Sequence, residues 1–318
     1  MNLITFNNDN MNSRQYKIFG LLILSTVIYA LNGTLEYILL KHFELYTFFF
    51  LWSFGGVLSL PLLVHIMGMR NDLFKNLKGH IVSIAGGSFL VICDLSLFMA
   101  FKLYFLASVY PLIAVSSLIF FVIDLVKYHS KLSSRVIVFV MIGIILVIIG
   151  TLLTESINYS FNYSILPFAI AIIVFAGLGY YAVFYNIHEY SIGSKISSIT
   201  IISFITSIVL LFILPPDKII YQVQSVYSIM VVISGMLFIT ALALELKVVK
   251  ITENVTLYKT VALKNLINNF TYLDTVLVLL LSVVIGSFVP IEILGGFIIV
   301  FGVVIIAKAD EKEGRGNS

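Results

Sequence analysis

The sequence has 318 residues, of which 60% are hydrophobic and only 11% are charged. Soluble domains contain about 25% charged residues, so the composition excludes an ordinary soluble protein. The net charge of +3 is not concentrated in one segment, and we therefore expect no nucleic acid partner. The single cysteine, Cys93, excludes an internal disulfide, and no histidine motif or catalytic triad stands out. We expect no enzyme activity, no cofactor and no metal.

Residues 1–16 are polar and rich in asparagine, which predicts a disordered cytoplasmic leader. Ten apolar runs follow, each near the length of about 20 residues that a helix needs to cross a bilayer. They are 17–39, 45–67, 80–101, 104–126, 134–153, 164–187, 194–214, 226–246, 255–282 and 287–307. Backbone groups inside lipid are satisfied only in helices or closed barrels, so runs of this length predict ten transmembrane helices. Residues 308–318 are predicted to form a cytoplasmic tail.

The basic residues predict the orientation of these helices. Fourteen of the nineteen lysines and arginines fall on the side of the two termini, and three fall on the opposite side. The other two, Lys259 and Lys264, lie within the ninth run. Because cytoplasmic loops carry the excess of basic residues, both termini are predicted to be cytoplasmic in a multi-pass protein of the cell membrane.

The two halves of the sequence resemble each other at a separation of about 152 residues. YALNGTLEY (29–37) is similar to YAVFYNIHEY (181–190), and GIILVIIG (143–150) is similar to GGFIIVFG (295–302). These matches predict two five-helix repeats, residues 17–153 and 164–307. An odd number of helices inverts the second copy, which places a binding site near the middle of the membrane and permits alternating access.

Three segments resemble the drug/metabolite transporter superfamily, particularly its EamA-like family. They are FMAFKLYFLASVYPLIAVSSLIF (98–120), GIILVIIGTLL (143–153) and GGFIIVFGVVII (295–306). The resemblance covers about residues 17–307. It implies a carrier of small metabolites, amino acids or drug-like solutes that works by proton exchange.

The ninth run carries a polar stripe at helical spacing. Its members are Thr260, Lys264, Asn268, Thr271 and Thr275, widened by Asn265 and Tyr272. Steps of three and four residues place them on one helix face. The stripe predicts the wall of a hydrated cavity, in which Lys264, Asn265, Asn268, Thr271 and Tyr272 contact the solute. Hydrogen bonds that only join helices are the alternative.

Two charged residues lie deep within predicted spans, where such residues usually face a cavity or a partner. Lys264 either pairs with a carboxylate such as Asp94, binds an anionic group of the solute, or extends to the membrane surface. Asp94 is a candidate for carrying a coupled proton, and a salt-bridge anchor is the alternative.

Further candidates for the same cavity lie on other runs. In the first run, Tyr29, Asn32 and Glu36 recur at helical spacing, although Glu36 lies near the outer end, where water is within reach. Tyr181 in the sixth run and Trp52 in the second are further solute-contact candidates. The alternative for Trp52 is simple packing.

The sequence thus predicts a secondary-active transporter for a small solute, with protons as the coupled ion and lipid as its surroundings. A sodium-coupled symporter of the bile-acid type and a non-transporting receptor or scaffold are the alternatives. The sequence leaves a homodimer open.

Overall fold

The computed structural model describes residues 8–67, 77–116, 119, 134–155, 166–185, 191–253, 259–288 and 290–316, and the regular structure within these ranges is helical. The first six helices are α1 (Asn8–Leu39), α2 (Leu45–Met67), α3 (Leu77–Leu103), α4 (Leu106–Val109), α5 (Pro111–Val115) and α6 (Ser134–Glu155). The others are α7 (Leu166–Tyr185), α8 (Ile192–Ile213), α9 (Ile219–Val223), α10 (Val226–Glu253), α11 (Lys259–Val284) and α12 (Pro290–Gly316).

Nine of the ten apolar runs coincide with one long helix each, and α2 has the predicted bounds of 45–67. The first helix differs, because α1 begins at Asn8, within the segment 1–16 that was predicted to be a disordered leader. The cost of helix formation lies in nucleation, and an existing helix extends by further residues at little cost. Residues 8–16 therefore continue the helix of the apolar run.

The fourth run, 104–126, is interrupted. After α3 ends at Leu103, only two residues lead into α4. Tyr110 separates α4 from α5 although its own backbone is helical, with φ −62° and ψ −37°. Pro111 follows, and its ring nitrogen cannot donate the hydrogen bond that would continue the helix. Residues 117, 118 and 120–133 of this region lie outside the described residues.

Six of the described helices are long and apolar enough to cross a membrane. They are Gly20–Leu39, Leu45–His65, His80–Leu103, Leu166–Phe184, Ile192–Ile213 and Val226–Val248. Large apolar side chains such as Phe212 and Val284 are about four-fifths exposed, at 83% and 80%. Polar residues such as Asn32 are buried instead. An apolar exterior around a polar interior fits an all-α membrane protein.

The main core of the bundle is aromatic. Phe48, Phe49 and Trp52 of α2 pack against Phe98 of α3, with the Trp52 and Phe98 ring centroids 5.5 Å apart. Phe238 of α10 also packs against Trp52, at 4.8 Å between ring centroids. Trp52 of α2 thus contacts aromatic rings of both α3 and α10.

Glycines allow α2 and α10 to approach each other closely. An added Cβ on Gly55 would lie 2.0 Å from the carbonyl oxygen of Val232, and one on Gly235 would lie 1.8 Å from the carbonyl oxygen of Trp52. Both distances are far below van der Waals contact, so each backbone occupies the space that a side chain would need. Small residues at helix crossings serve this purpose in membrane proteins.

We predict that Gly55→Ala destabilises the protein, because α2 and α10 would have to separate. Overpacking of this kind costs about 1–3 kcal/mol. The control is Gly20→Ala, since a Cβ at Gly20 meets no atom within 4 Å and alanine favours the helix. Thermal unfolding of the purified protein in detergent measures both variants. Equal midpoints for the two variants would contradict the close crossing.

Candidate solute-binding cavity

A small cavity lies between the helices near the aromatic core, and the volume open to the centres of water-sized molecules is about 40 Å³. Its walls come from α1, α2, α3, α5, α7, α10 and α11, together with Tyr110. The lining residues are Tyr29, Asn32, Gly33, Glu36, Trp52, Leu90, Cys93, Asp94, Leu97, Tyr110, Ile113, Ala176, Tyr180, Phe238 and Asp274. Apolar walls with a few converging polar groups are typical of small-molecule sites.

Glu36 is the most heavily hydrogen-bonded acid of the cavity. Its Oε1 accepts hydrogen bonds from Trp52 Nε1 at 2.7 Å and from Asn32 Nδ2 at 2.6 Å. The Ser234 hydroxyl lies 3.5 Å from the same oxygen and donates to Asn32 Oδ1 at 2.7 Å. Asn32 and Glu36 are one helical turn apart, so α1 presents both side chains on one face. Three helices, α1, α2 and α10, are thereby joined at one carboxylate.

The second oxygen of this carboxylate is left open. No hydrogen bond reaches Glu36 Oε2 from the described residues, although the side chain is only 4% exposed and lines the cavity. The donors Trp52 and Asn32 therefore fix the orientation of Glu36, and Oε2 remains as an acceptor atom for an occupant of the cavity.

Asp94 of α3 has a different environment. It is 8% exposed, lines the cavity, and forms no hydrogen bond or ion pair with any described residue. Glu36 is within electrostatic range of it. A buried carboxylate without donors is costly, so Asp94 requires a proton or a cationic partner that the described residues do not supply.

Asp274 of α11 is the third acid of the lining. Its Oδ2 lies 3.4 Å from the Tyr110 hydroxyl, and its Oδ1 lies 3.4 Å from the hydroxyl of the adjacent Thr275. Tyr110 also packs closely on α1, because an added Cβ on Gly33 would lie 2.5 Å from its ring. These long hydrogen bonds hold Asp274 less firmly than Glu36 is held.

The lining is acidic as a whole. Glu36, Asp94 and Asp274 contribute three carboxyl groups, and no described lining residue is a lysine, arginine or histidine. Glu245 is also buried nearby and interacts electrostatically with Asp274 and Tyr29. The cavity therefore favours cations, including protons.

Four of the residues predicted from the sequence meet in this cavity, namely Tyr29, Asn32, Trp52 and Asp94. Tyr181 instead packs beside a neighbouring hydrophobic cluster, and its neighbour Tyr180 lines the cavity. Tyr272 is buried in another cluster with Ala114 and Ile299.

The other predictions fall on the first half of α11. Its backbone is helical there, but the side chains of Lys264, Asn265, Asn268 and Thr271 lie outside the described residues. The predicted solute contacts of these four residues and the pairing of Lys264 with Asp94 stay predictions.

Two important acids, Glu36 and Asp274, are less evident from the sequence. Glu36 lies near the outer end of its run, where water is within reach, and its spacing of four residues from Asn32 was the available signal. Asp274 was not among the candidates. No sequence pattern pointed to Ser234 or Tyr110, because their partners lie 202 and 164 residues away.

The fold and the buried acidic cavity thus define an all-α protein with six helices suited to a membrane. No family model and no curated protein matches the sequence. Solved structures do match, and one is described only as "Crystal structure of protein". It is 14% identical, with a TM-score of 0.58, and the match covers 91% of this chain and 96% of that chain. This similarity shows a shared fold over nearly the full length of both chains.

We predict that Ser234→Ala loosens the contact between α1 and α10, because it removes the donor to Asn32. Hydrogen bonds between membrane helices contribute about 0.6–1.7 kcal/mol. The control is Ser282→Ala, since the buried Ser282 hydroxyl donates only to the Leu279 carbonyl within its own helix. The readout is the free energy of unfolding in mixed micelles. If Ser282→Ala lowered the free energy of unfolding as much as Ser234→Ala, the contact between Ser234 and Asn32 would not be specifically stabilising.

Proposed function

We propose that the protein is a secondary-active transporter that moves a small solute through the central cavity by alternating access, in exchange for protons. The observation that carries this proposal is Asp94, a buried carboxyl group that has no partner among the described residues and faces a cavity built from helices of both halves of the chain. Such a carboxyl group can bind a proton and the solute alternately, which is what an exchange of the two requires.

The proposal includes ten spans in two inverted repeats, and the packing of the helices supports it. If α1, α2 and α3 correspond to α7, α8 and α10, each major contact should have a counterpart. The packing of α3 on α7 corresponds to that of α10 on α1, and the packing of α2 on α10 corresponds to that of α8 on α3. In addition, α2 packs on α8. This contact maps onto itself, because the two helices correspond to each other. This reciprocity is expected of a two-fold axis between repeats.

The contact between α6 and α12 gives a second line of support. An added Cβ on Gly150 would lie 2.6 Å from the carbonyl oxygen of Gly295, and one on Gly302 would lie 2.7 Å from that of Gly143. Adding 152 to positions 143 and 150 gives positions 295 and 302, so each contact maps onto the other. The order is reversed along the two helices, as in an antiparallel pair. These are the glycines of the similar sequences GIILVIIG and GGFIIVFG.

The resemblance to the EamA-like family is part of the same proposal and supplies the expectation of proton exchange. The sodium-symporter alternative requires interrupted helices at both the fourth and the ninth span. The fourth is interrupted at Tyr110, but α11 runs without a break from Lys259 to Val284. The continuous α11 therefore favours the proton-exchanging transporter over the sodium symporter.

In this mechanism the two acids have separate tasks. Glu36 stays fixed by Trp52, Asn32 and Ser234, and its Oε2, which accepts no hydrogen bond from the described residues, provides a constant binding point. Asp94 has no donors among those residues, so it takes up a proton when the solute has left. Rocking of one repeat against the other would expose the cavity to each side of the membrane in turn.

A flux assay in proteoliposomes tests the transport function. A panel of amines, amino acids, nucleosides and sugars is applied with and without a pH gradient, and an enclosed pH dye reports proton movement. We expect solute-dependent proton movement, and Asp94→Asn should abolish it. Glu292→Gln should preserve it, because Glu292 is as deeply buried but does not line the cavity. Proton movement in Asp94→Asn equal to that of the unmodified protein would reject the coupling role.

The topology of the proposal has its own test. With ten spans and cytoplasmic termini, a fluorescent protein fused after Ser318 should fluoresce, and alkaline phosphatase at the same place should be inactive. Fusions after Lys218, in the exposed connection between α8 and α9, should give the opposite result. The same outcome at both positions would contradict the count of ten.

A further inference from the structure

We infer that the transported solute is an organic cation with a protonated amine, whose N–H groups bind Glu36 Oε2 and the carboxylate of Asp94. The inference rests on the transport function proposed above and specifies its substrate class. Four features of the cavity support it.

The first feature is the balance of charge. Three carboxyl groups from α1, α3 and α11 face the cavity, and no basic side chain among the described lining residues compensates them. The lysine of the polar stripe, Lys264, is ten residues from Asp274, which is about 15 Å along α11. An anionic solute would add repulsion to this lining, whereas a cation would compensate it.

The second feature is the number of open acceptors. Glu36 accepts hydrogen bonds from Trp52 and Asn32 at Oε1, and its Oε2 has no donor among the described residues. Asp94 has no hydrogen-bond donor among those residues. An ammonium group has up to three N–H donors and no acceptor, so it matches two open carboxylate oxygens.

The third feature is the Tyr29 hydroxyl, which lies beside the buried carboxyl group of Glu245. Tyr29 is 7% exposed and lines the cavity. Its O–H can donate to Glu245, and no described residue donates a hydrogen bond to its oxygen. Its oxygen can accept the remaining N–H of an ammonium group.

The fourth feature is the aromatic wall. The Trp52 and Phe238 rings lie 4.8 Å apart between centroids, and the Tyr29 and Phe238 rings lie 5.8 Å apart. Aromatic faces attract cations and also cover the apolar part of a solute. Together with the carboxylates they suit an amine that carries an apolar substituent.

The chain contains one tryptophan, Trp52, and this residue lines the cavity. Its fluorescence therefore reports on occupancy without any label and without transport. The purified full-length protein in detergent is titrated at neutral pH with primary amines from methylamine to 2-phenylethylamine. The matched probes are 2-phenylethanol, which is neutral, 3-phenylpropionate, which is anionic, and the trimethylated 2-phenylethylamine, which is cationic but has no N–H.

We expect a saturable change of Trp52 fluorescence with the amines and binding at least about tenfold weaker with each matched probe, because hydrogen bonds to charged groups contribute about 1.5–3 kcal/mol. Glu36→Gln and Asp94→Asn should each weaken amine binding by a similar factor. Glu292→Gln should leave it unchanged.

Several results would overturn the inference. They are equal binding of 2-phenylethylamine and 2-phenylethanol, a preference for 3-phenylpropionate, equal binding of the trimethylated amine, or no response to any amine. Since these measurements use the unmodified protein, they hold even where a variant fails to fold. Flux of a neutral or anionic solute without amine binding would reject this inference and leave the transport function intact. Amine binding without flux of any solute would reject the transport function instead.

Discussion

The structure depends on one constraint, which is that a carboxylate inside a helical bundle needs hydrogen-bond donors or a positive charge beside it. Glu36 meets this constraint with donors from three helices. Asn32 lies on its own helix, Trp52 comes from α2 and Ser234 from α10. The cluster therefore joins three helices and at the same time shapes the cavity, because its remaining oxygen faces the empty space.

Close helix packing makes this cluster possible. Ser234 and Gly235 are adjacent on α10, and the absence of a side chain at Gly235 brings its backbone against the Trp52 carbonyl. The neighbouring Ser234 hydroxyl then reaches Asn32. A small residue and a polar residue side by side thus provide the close approach and the specific contact of one interface.

The acids of the cavity differ in how far the protein itself compensates them. Glu36 has two close donors, Asp274 has two long contacts, and Asp94 has none among the described residues. This decrease in the number of donors distinguishes acids with a structural role from acids with a functional role. A fully bonded acid holds the helices in place, while an unbonded acid depends on what enters the cavity. The proposed exchange of a proton for an amine follows from this difference.

The sequence by itself determined the helical, membrane-embedded class and most helix positions, because runs of about 20 apolar residues are a local property that lipid converts directly into helices. It also indicated Tyr29, Asn32, Trp52 and Asp94 as inward-facing residues, since helical spacing and buried charge are visible along one chain. Only the tertiary structure decided that Glu36 is bonded by Trp52 and Ser234, that Asp274 meets Tyr110, and that Tyr180 lines the cavity in place of Tyr181. These contacts depend on the rotation and crossing of helices, which are set by side-chain packing between segments far apart in sequence.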